Sequence, residues 1–101
     1  MRLMGLDVGD RRIGIALSDP LGFTAQGYST LERKSDDQVL ETISRLCDEY
    51  EVGKIVVGLP LNMNGSLGPR ARLVQEWAEQ LGVRSGREVV FWDERLSTVS
   101  A

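Results

Sequence analysis

The sequence contains no histidine and only one cysteine, Cys47, among its 101 residues. The lack of histidine excludes Ser–His catalytic triads and histidine-rich zinc sites. A single cysteine excludes an internal disulfide and a cysteine-rich zinc cluster. Any resident metal would therefore need oxygen ligands, which favours Mg²⁺ or Mn²⁺. Cys47 itself falls on an apolar helical stripe and is expected in the core.

Long apolar runs and a secretory signal are also missing, so we expect a cytoplasmic protein without membrane contact. The net charge is −3, which argues against binding nucleic acid through the whole surface. It leaves open a locally basic site, or a metal that bridges acidic side chains to phosphate. The length suits one domain rather than two, and we predict a single domain over residues 1–101.

The pattern of apolar residues predicts an α/β fold. Short apolar segments at 3–8, 13–17 and 23–31, separated by turns, predict three meandering strands. Ser35 and Gln38 form a capping-box pattern before a helix that we expect to end at Gly53. The run at 54–59 is typical of a buried parallel strand. Pro69 is placed to open a second helix, and we expect Gly82 to end it.

Further patterns complete this prediction. The second helix is expected to bury one face. A last strand is predicted at 88–92, and its Trp92 is also expected in the core. Ser97 or Thr98 would then cap another helix. The result is a mixed five-stranded sheet flanked by helices, with antiparallel strands first and parallel strands after them. The residues predicted for the buried face of the second helix are Leu73, Val74, Trp77, Ala78 and Leu81.

Three predicted strand ends carry residues that could take part in catalysis or bind a metal ion. Asp7 leaves the first strand, a polar glycine-rich loop at 59–68 follows the fourth, and Asp93, Glu94 and Arg95 follow the fifth. Sites in parallel α/β sheets form outside the carboxyl ends of the strands. Carboxylates on either side of a helix-opening loop are a plausible cradle for a divalent metal and a phosphate.

Three segments of the sequence resemble the YqgF (RuvX) family, in the family's order. They are Gly5-Leu6-Asp7-Val8-Gly9 with the following Arg12-Ile13-Gly14-Ile15-Ala16 and Ser18-Asp19, then Val57-Gly58-Leu59-Pro60-Leu61-Asn62-Met63-Asn64-Gly65-Ser66, and finally Asp93-Glu94-Arg95-Leu96-Ser97-Thr98. The resemblance implies an RNase H-like fold with strand order 3-2-1-4-5. It also implies a nuclease that processes the 5′ end of the small-subunit ribosomal RNA precursor. The family has equally been described as a Holliday junction resolvase.

The resemblance also assigns roles to residues. Asp7 matches the family's first-strand catalytic aspartate, and Glu94, with Asp93 beside it, matches the acidic pair after the last strand. Asp7 and Glu94 are the expected Mg²⁺ ligands. A third acid is expected on a C-terminal helix beyond Ala101, so we interpret the sequence as lacking that helix and as an incomplete metal site. Apart from the resemblance, we expect a further set of residues to bind the substrate: Arg12, Asn62, Gly65, Ser66, Gly68, Arg95 and Thr98.

Each assignment has a simpler alternative. Asp7 could cap the hairpin turn, Glu94 could be a solvated strand end paired with Arg95, and Asp93 could cap the next helix. The loop could be a plain connection, and Arg12 could sit at a solvated hairpin tip. The function alternatives are an ATPase or sugar-kinase lobe, and a non-catalytic RNA-binding or ribosome-assembly module. Structured RNA and branched DNA both stay open as partners, as do a monomer and a weak dimer.

Overall fold

The computed structural model describes residues 2–18 and 25–93, which form a five-stranded sheet and two helices. The five predicted strands and the first two predicted helices are found, with bounds that differ by a few residues. The helix predicted to start at Ser97 or Thr98 lies outside the described residues. The elements are β1 (Arg2–Val8), β2 (Arg12–Ser18), β3 (Ala25–Glu32), α1 (Asp36–Glu49), β4 (Val52–Leu59), α2 (Pro69–Ser85) and β5 (Glu88–Asp93).

The sheet has the strand order β3-β2-β1-β4-β5, as the resemblance implied. β1 and β3 both pair antiparallel with β2, whereas β1 and β5 both pair parallel with β4. β1 is therefore the central strand. Because β1, β4 and β5 run in the same direction, their carboxyl ends meet at one edge of the sheet.

One face of the sheet packs against both helices and forms the core. Alternate residues of β1 and β4 point into it, because side chains alternate between the two faces of a strand. Cys47 is fully buried there, as expected. The opposite face carries smaller and partly exposed residues in β1, β2 and β4. The buried residues of β1 and β4 are Met4, Leu6, Val8, Val52, Ile55, Val57 and Leu59.

Helix α1 differs from the prediction at both ends. Ser35 occupies the N-cap position but makes no side-chain cap hydrogen bond, so the capping box is not formed. The helix ends at Glu49 with Tyr50 as C-cap, and Glu51 turns the chain with a φ of 52°. Gly53 lies inside β4 instead, because the chain has already reversed before it.

Helix α2 runs past Gly82 and ends at Ser85, with Gly86 in the left-handed conformation as its C-cap. Gly82 has a packing role: a Cβ there would lie 3.2 Å from Val89 Cγ2, so glycine lets the helix approach β5 closely. Leu73 is 64% exposed and was wrongly assigned to the buried face, which the other four predicted residues do form. In the described part of the chain, no helix combines the length and apolar character needed to cross a membrane.

Candidate nuclease site

Asp7 is an exposed carboxylate near the carboxyl end of the central strand. The alternation along β1 buries Leu6 and Val8 beneath the helices and turns Asp7 to the opposite face. Its partner on β2 is Gly14, where an added Cβ would lie 3.7 Å from the Asp7 Cβ. On β4, one step beyond the Leu6–Val57 pair, the neighbouring strand carries Gly58. Glycines on both adjoining strands leave space around this carboxylate for a large ligand.

The β1–β2 turn holds Asp7 at this edge. Gly9 N–H donates to the Arg12 carbonyl at 2.8 Å, and a Cβ on Gly9 would lie only 2.8 Å from that same oxygen. Any larger residue would therefore push the turn open. Arg33, the residue that follows β3, stabilises the turn, because its backbone N–H donates to the Arg11 carbonyl and its guanidinium to the Gly9 carbonyl. The turn is thus fixed by backbone hydrogen bonds and by the Arg33 side chain.

Arg12 lies at the start of β2 and is exposed. It is two residues from Gly14, so its side chain is on the same face of the sheet as Asp7. It lies across from Glu32 in the β2–β3 ladder. The structure therefore places one predicted substrate-binding cation and the predicted catalytic aspartate on the same face of the sheet.

Asp93 is the last residue of β5 and pairs with Leu59. Residues paired in a parallel ladder point to the same face, and Leu59 is buried against the helices. Asp93 therefore points away from the face that carries Asp7. Trp92, its neighbour, lies across from Gly58 on the Asp7 face and is 48% exposed, so the expectation that it is buried was wrong.

The remaining predicted residues at this edge, Glu94, Arg95 and Thr98, lie outside the described residues. Within residues 2–18 and 25–93, no group of three or more acidic or cysteine side chains is arranged to hold a metal ion. Asp7 is an exposed hard oxygen ligand, and this donor chemistry fits Mg²⁺. The metal site stays a prediction that needs a second acid from beyond Asp93.

The loop after β4 closes on itself through hydrogen bonds. Asn62 N–H donates to the Ser66 carbonyl at 3.0 Å, and Gly65 N–H donates to the Asn62 carbonyl at 2.8 Å. The Asn62 side-chain amide donates to Ser66 Oγ, and this hydroxyl donates to Asn64 Oδ1 at 2.6 Å. Gly65 has a φ of 87°, which favours glycine. Three of the predicted substrate-binding residues, Asn62, Gly65 and Ser66, therefore also determine the shape of the loop.

Gly68 ends this loop as the N-cap of α2, without a side-chain cap. A Cβ at Gly68 would lie 3.0 Å from the Asn62 Oδ1, so glycine lets the amide pack against the helix start. Pro69 is the first helical residue, as predicted. The backbone N–H groups of this first turn point toward the edge that carries the loop, as required for an anion-binding role.

Met63 is a feature of the loop to which the sequence pattern assigned no role. Its side chain is 92% exposed, more than any other large apolar side chain in the described part of the chain. The signal in the sequence was an apolar residue between two asparagines in a segment otherwise made of loop-forming residues.

Comparison with protein families gives a match to the RuvX family, described as "Holliday junction resolvase", over residues 1–101. A relative from Clostridium botulinum strain Hall is 56% identical and is named "Putative pre-16S rRNA nuclease". The match covers all of this chain and 74% of the relative. A protein of the same name from Syntrophomonas wolfei is also 56% identical, over all of this chain and 72% of its own length.

Solved structures share the fold at low sequence identity. Thermus thermophilus RuvC in complex with a Holliday junction substrate aligns with a TM-score of 0.65 and 10% identity, over 92% of this chain and 66% of RuvC. A hexokinase of the ROK class from the same organism aligns with a TM-score of 0.60 and 20% identity, over 93% of this chain and 34% of the kinase. These likenesses concern the fold alone, whereas the family match covers the whole chain. The chain therefore belongs to the RuvX family, a family of nucleases with an RNase H-like fold.

Proposed function

We propose that this protein is a metal-dependent endonuclease that cleaves phosphodiester bonds in the precursor of small-subunit ribosomal RNA. Asp7 and Glu94 would hold a Mg²⁺ ion, with Mn²⁺ as an alternative. The observation that carries the proposal is the position of Asp7 at the carboxyl end of the central strand. There its carboxylate is exposed between Gly14 and Gly58, in a chain that belongs to a nuclease family.

The metal, when bound, would activate a water molecule and stabilise charge on the scissile phosphate. The protein's own contribution is to orient the substrate. Arg12 adds a positive charge on the Asp7 face and is placed to contact a phosphate of the strand. The N–H groups that open α2 offer a second contact, since a helix N-terminus attracts anions. Arg95 and Thr98, which follow Asp93 in the sequence, are proposed to extend this contact.

The ribosomal RNA precursor is favoured as substrate by the names of the relatives that are 56% identical to this chain. Such a substrate would place the protein in the cytoplasm. The description of the family model supports a second candidate function, the resolution of four-way DNA junctions. In either case the substrate is a branched or folded nucleic acid whose phosphates must reach Asp7.

The first experiment compares Asp7→Asn with the unmodified protein in cleavage of precursor ribosomal RNA and of a four-way DNA junction. We expect Asp7→Asn to lose about a hundredfold or more in rate, because it removes a metal-binding charge without changing size. Removal of divalent ions with EDTA should stop cleavage, and Mg²⁺ should restore it. Glu94→Gln should cause a similar loss.

Asp10→Asn is the matched control. Asp10 is also exposed, lies three residues after Asp7 in the β1–β2 turn, and pairs with Arg70 at 3.6 Å. This variant should cleave at close to the normal rate. Undiminished cleavage by Asp7→Asn would refute the metal role of Asp7. RNA binding that withstands EDTA, without any cleavage, would favour a non-catalytic RNA-binding module.

A further inference from the structure

The ion pairs of the protein leave a group of arginines at one edge of the sheet without an acidic partner. Most lysines and arginines in the described part of the chain form a salt bridge with an aspartate or glutamate. Within residues 2–18 and 25–93, the exceptions are Arg2, Arg11, Arg12 and Arg72. Arg2 is at the opposite edge and lies over the Tyr50 ring, 5.5 Å from its centre. The others are at the carboxyl edge that carries Asp7, so unpaired positive charge is concentrated there.

A salt bridge joins the two segments that hold Arg11 and Arg72. Asp10 in the β1–β2 turn pairs with Arg70 in the first turn of α2, with 3.6 Å between oxygen and nitrogen. Arg11 directly follows Asp10, Arg72 is two residues after Arg70, and both are exposed. Glu76, one helical turn after Arg72, forms no salt bridge with it. Arg11 and Arg72 therefore lie on one continuous surface, on either side of this ion pair.

Helix α2 begins with a charge pattern that opposes its own dipole. Its first turn carries Arg70 and Arg72 and no acidic residue, whereas the first turn of α1 carries Asp36 and Asp37. A helix N-terminus has a partial positive charge, which favours acidic residues and disfavours cations. Arg70 is compensated by Asp10, but Arg72 has no such partner among the described residues. A residue that opposes a local preference without a compensating contact indicates a functional surface.

We propose that Arg11 and Arg72 form an interaction surface for the phosphate backbone of a nucleic acid, next to the site of Asp7 and Arg12. The net charge of the chain is −3, so a polyanion is attracted only where cations lack acidic partners. A guanidinium group donates paired hydrogen bonds to phosphate oxygens. Contacts of this kind position a substrate without recognising its sequence. The inference rests on the proposed nuclease function, and it adds a surface that holds the backbone away from the cleaved bond.

The first test measures how binding depends on salt, with a fluorescently labelled four-way DNA junction and a folded RNA. All proteins carry Asp7→Asn, and the buffer contains EDTA, so that the nucleic acid stays intact. Each phosphate contact on a duplex contributes about −0.9 to the slope of log affinity against log salt concentration. The slope should become less steep by about 0.9 in Arg11→Gln and in Arg72→Gln, and by about twice that in the double variant. Arg45→Gln is the matched control and should keep the slope, because Arg45 is exposed but pairs with Glu41 in α1.

The second test separates binding from chemistry and from folding. With Asp7 intact, Arg11→Gln and Arg72→Gln should raise KM about threefold or more, while kcat stays within about twofold of normal, because both contact the backbone away from the reacting phosphate. Arg72→Lys should restore most of the affinity, since lysine keeps the charge. Arg72→Gln should also raise the urea concentration at the midpoint of unfolding, because it removes a cation from the start of a helix. Weaker binding together with higher stability excludes a damaged fold as the cause.

The outcomes distinguish this inference from the proposed function. If the salt slopes do not change in Arg11→Gln and Arg72→Gln, while cleavage still depends on Asp7, the phosphate surface is refuted and the nuclease function stands. An equal change of slope in Arg45→Gln would also refute it, because binding would then follow the net charge. Competition by polyglutamate at the same charge concentration as the nucleic acid would assign the surface to an acidic protein instead. If the unmodified protein neither binds nor cleaves nucleic acid, the proposed function fails, and this inference fails with it.

Discussion

Gly65 shows how much of the loop after β4 depends on a single residue. Its φ of 87° lies in the left-handed region, where an alanine costs about 1–2 kcal/mol. We expect Gly65→Ala to lower the free energy of unfolding by about 1 kcal/mol, whereas Gly65→Asn should lower it less, since asparagine tolerates this conformation. Urea unfolding followed by circular dichroism measures both. Equal stability of the two variants would show that the loop does not require this conformation.

For individual residues, the sequence predicted the orientation of Asp7 correctly and the role of Gly82 wrongly. The alternation of β1 places Asp7 on the face away from the core, and this follows from the apolar residues on either side of it. The glycines were harder to interpret, because a glycine can end a helix or permit close packing. Gly82 does the second, since its place beside Val89 depends on the packing of α2 against β5, which no pattern in the sequence marks.

At the scale of elements, Arg87 connects α1, β4 and the junction between α2 and β5, where it lies. Its guanidinium donates to the carbonyl of Val52 at the start of β4 and to that of Cys47 in the last turn of α1. It also bonds Asp48 at 2.6 Å. We expect Arg87→Met to lower the free energy of unfolding by about 1–3 kcal/mol, because it leaves two partly buried carbonyls without this donor. Urea unfolding measures the loss.

Arg84→Met provides the comparison for Arg87. Arg84 also joins two helices, bonding the carbonyl and carboxylate of Asp37, but its side chain is 40% exposed. Exposed ion pairs contribute less than about 1 kcal/mol. The expected order is therefore a large loss for Arg87 and a small one for Arg84. An equal loss of unfolding free energy in the two variants would mean that the partly buried carbonyls of Val52 and Cys47 do not depend on Arg87.

The order of elements could be predicted from the sequence because each strand and helix carries its own periodicity. Strand order came from the family resemblance, since periodicity does not state which strands pair. The ends of α1 and α2 could not be placed, because Tyr50 and Gly86 end them through local backbone geometry. Asp93 shows the same limit at the candidate site. Its face of the sheet depends on the pairing of β5 with β4, and no pattern in the sequence sets that register.

At the scale of the whole molecule, the reactivity of the Cys47 thiol shows whether α1 stays packed against the sheet. The thiol is fully buried, and its Sγ lies 4.0 Å from the Met4 Sδ on the central strand. Burial raises the pKa of Cys47, which Arg87 lowers and Asp48 raises to smaller extents. A thiol reagent such as DTNB should therefore react only as the protein unfolds, because the thiolate is the reactive form.

The raised pKa also makes the stability depend on pH. The folded state keeps the Cys47 proton at pH values where the unfolded chain releases it, so this contribution is complete below the unfolded pKa of about 9.0. It declines as pH rises toward the folded pKa, by up to about 1.4 kcal/mol per pH unit. Urea unfolding at pH 7 to 10 should show a steeper decline for the unmodified protein than for Cys47→Ala, which has no thiol to titrate. Parallel declines in the two proteins would contradict a raised thiol pKa, because every other titrating group is common to both.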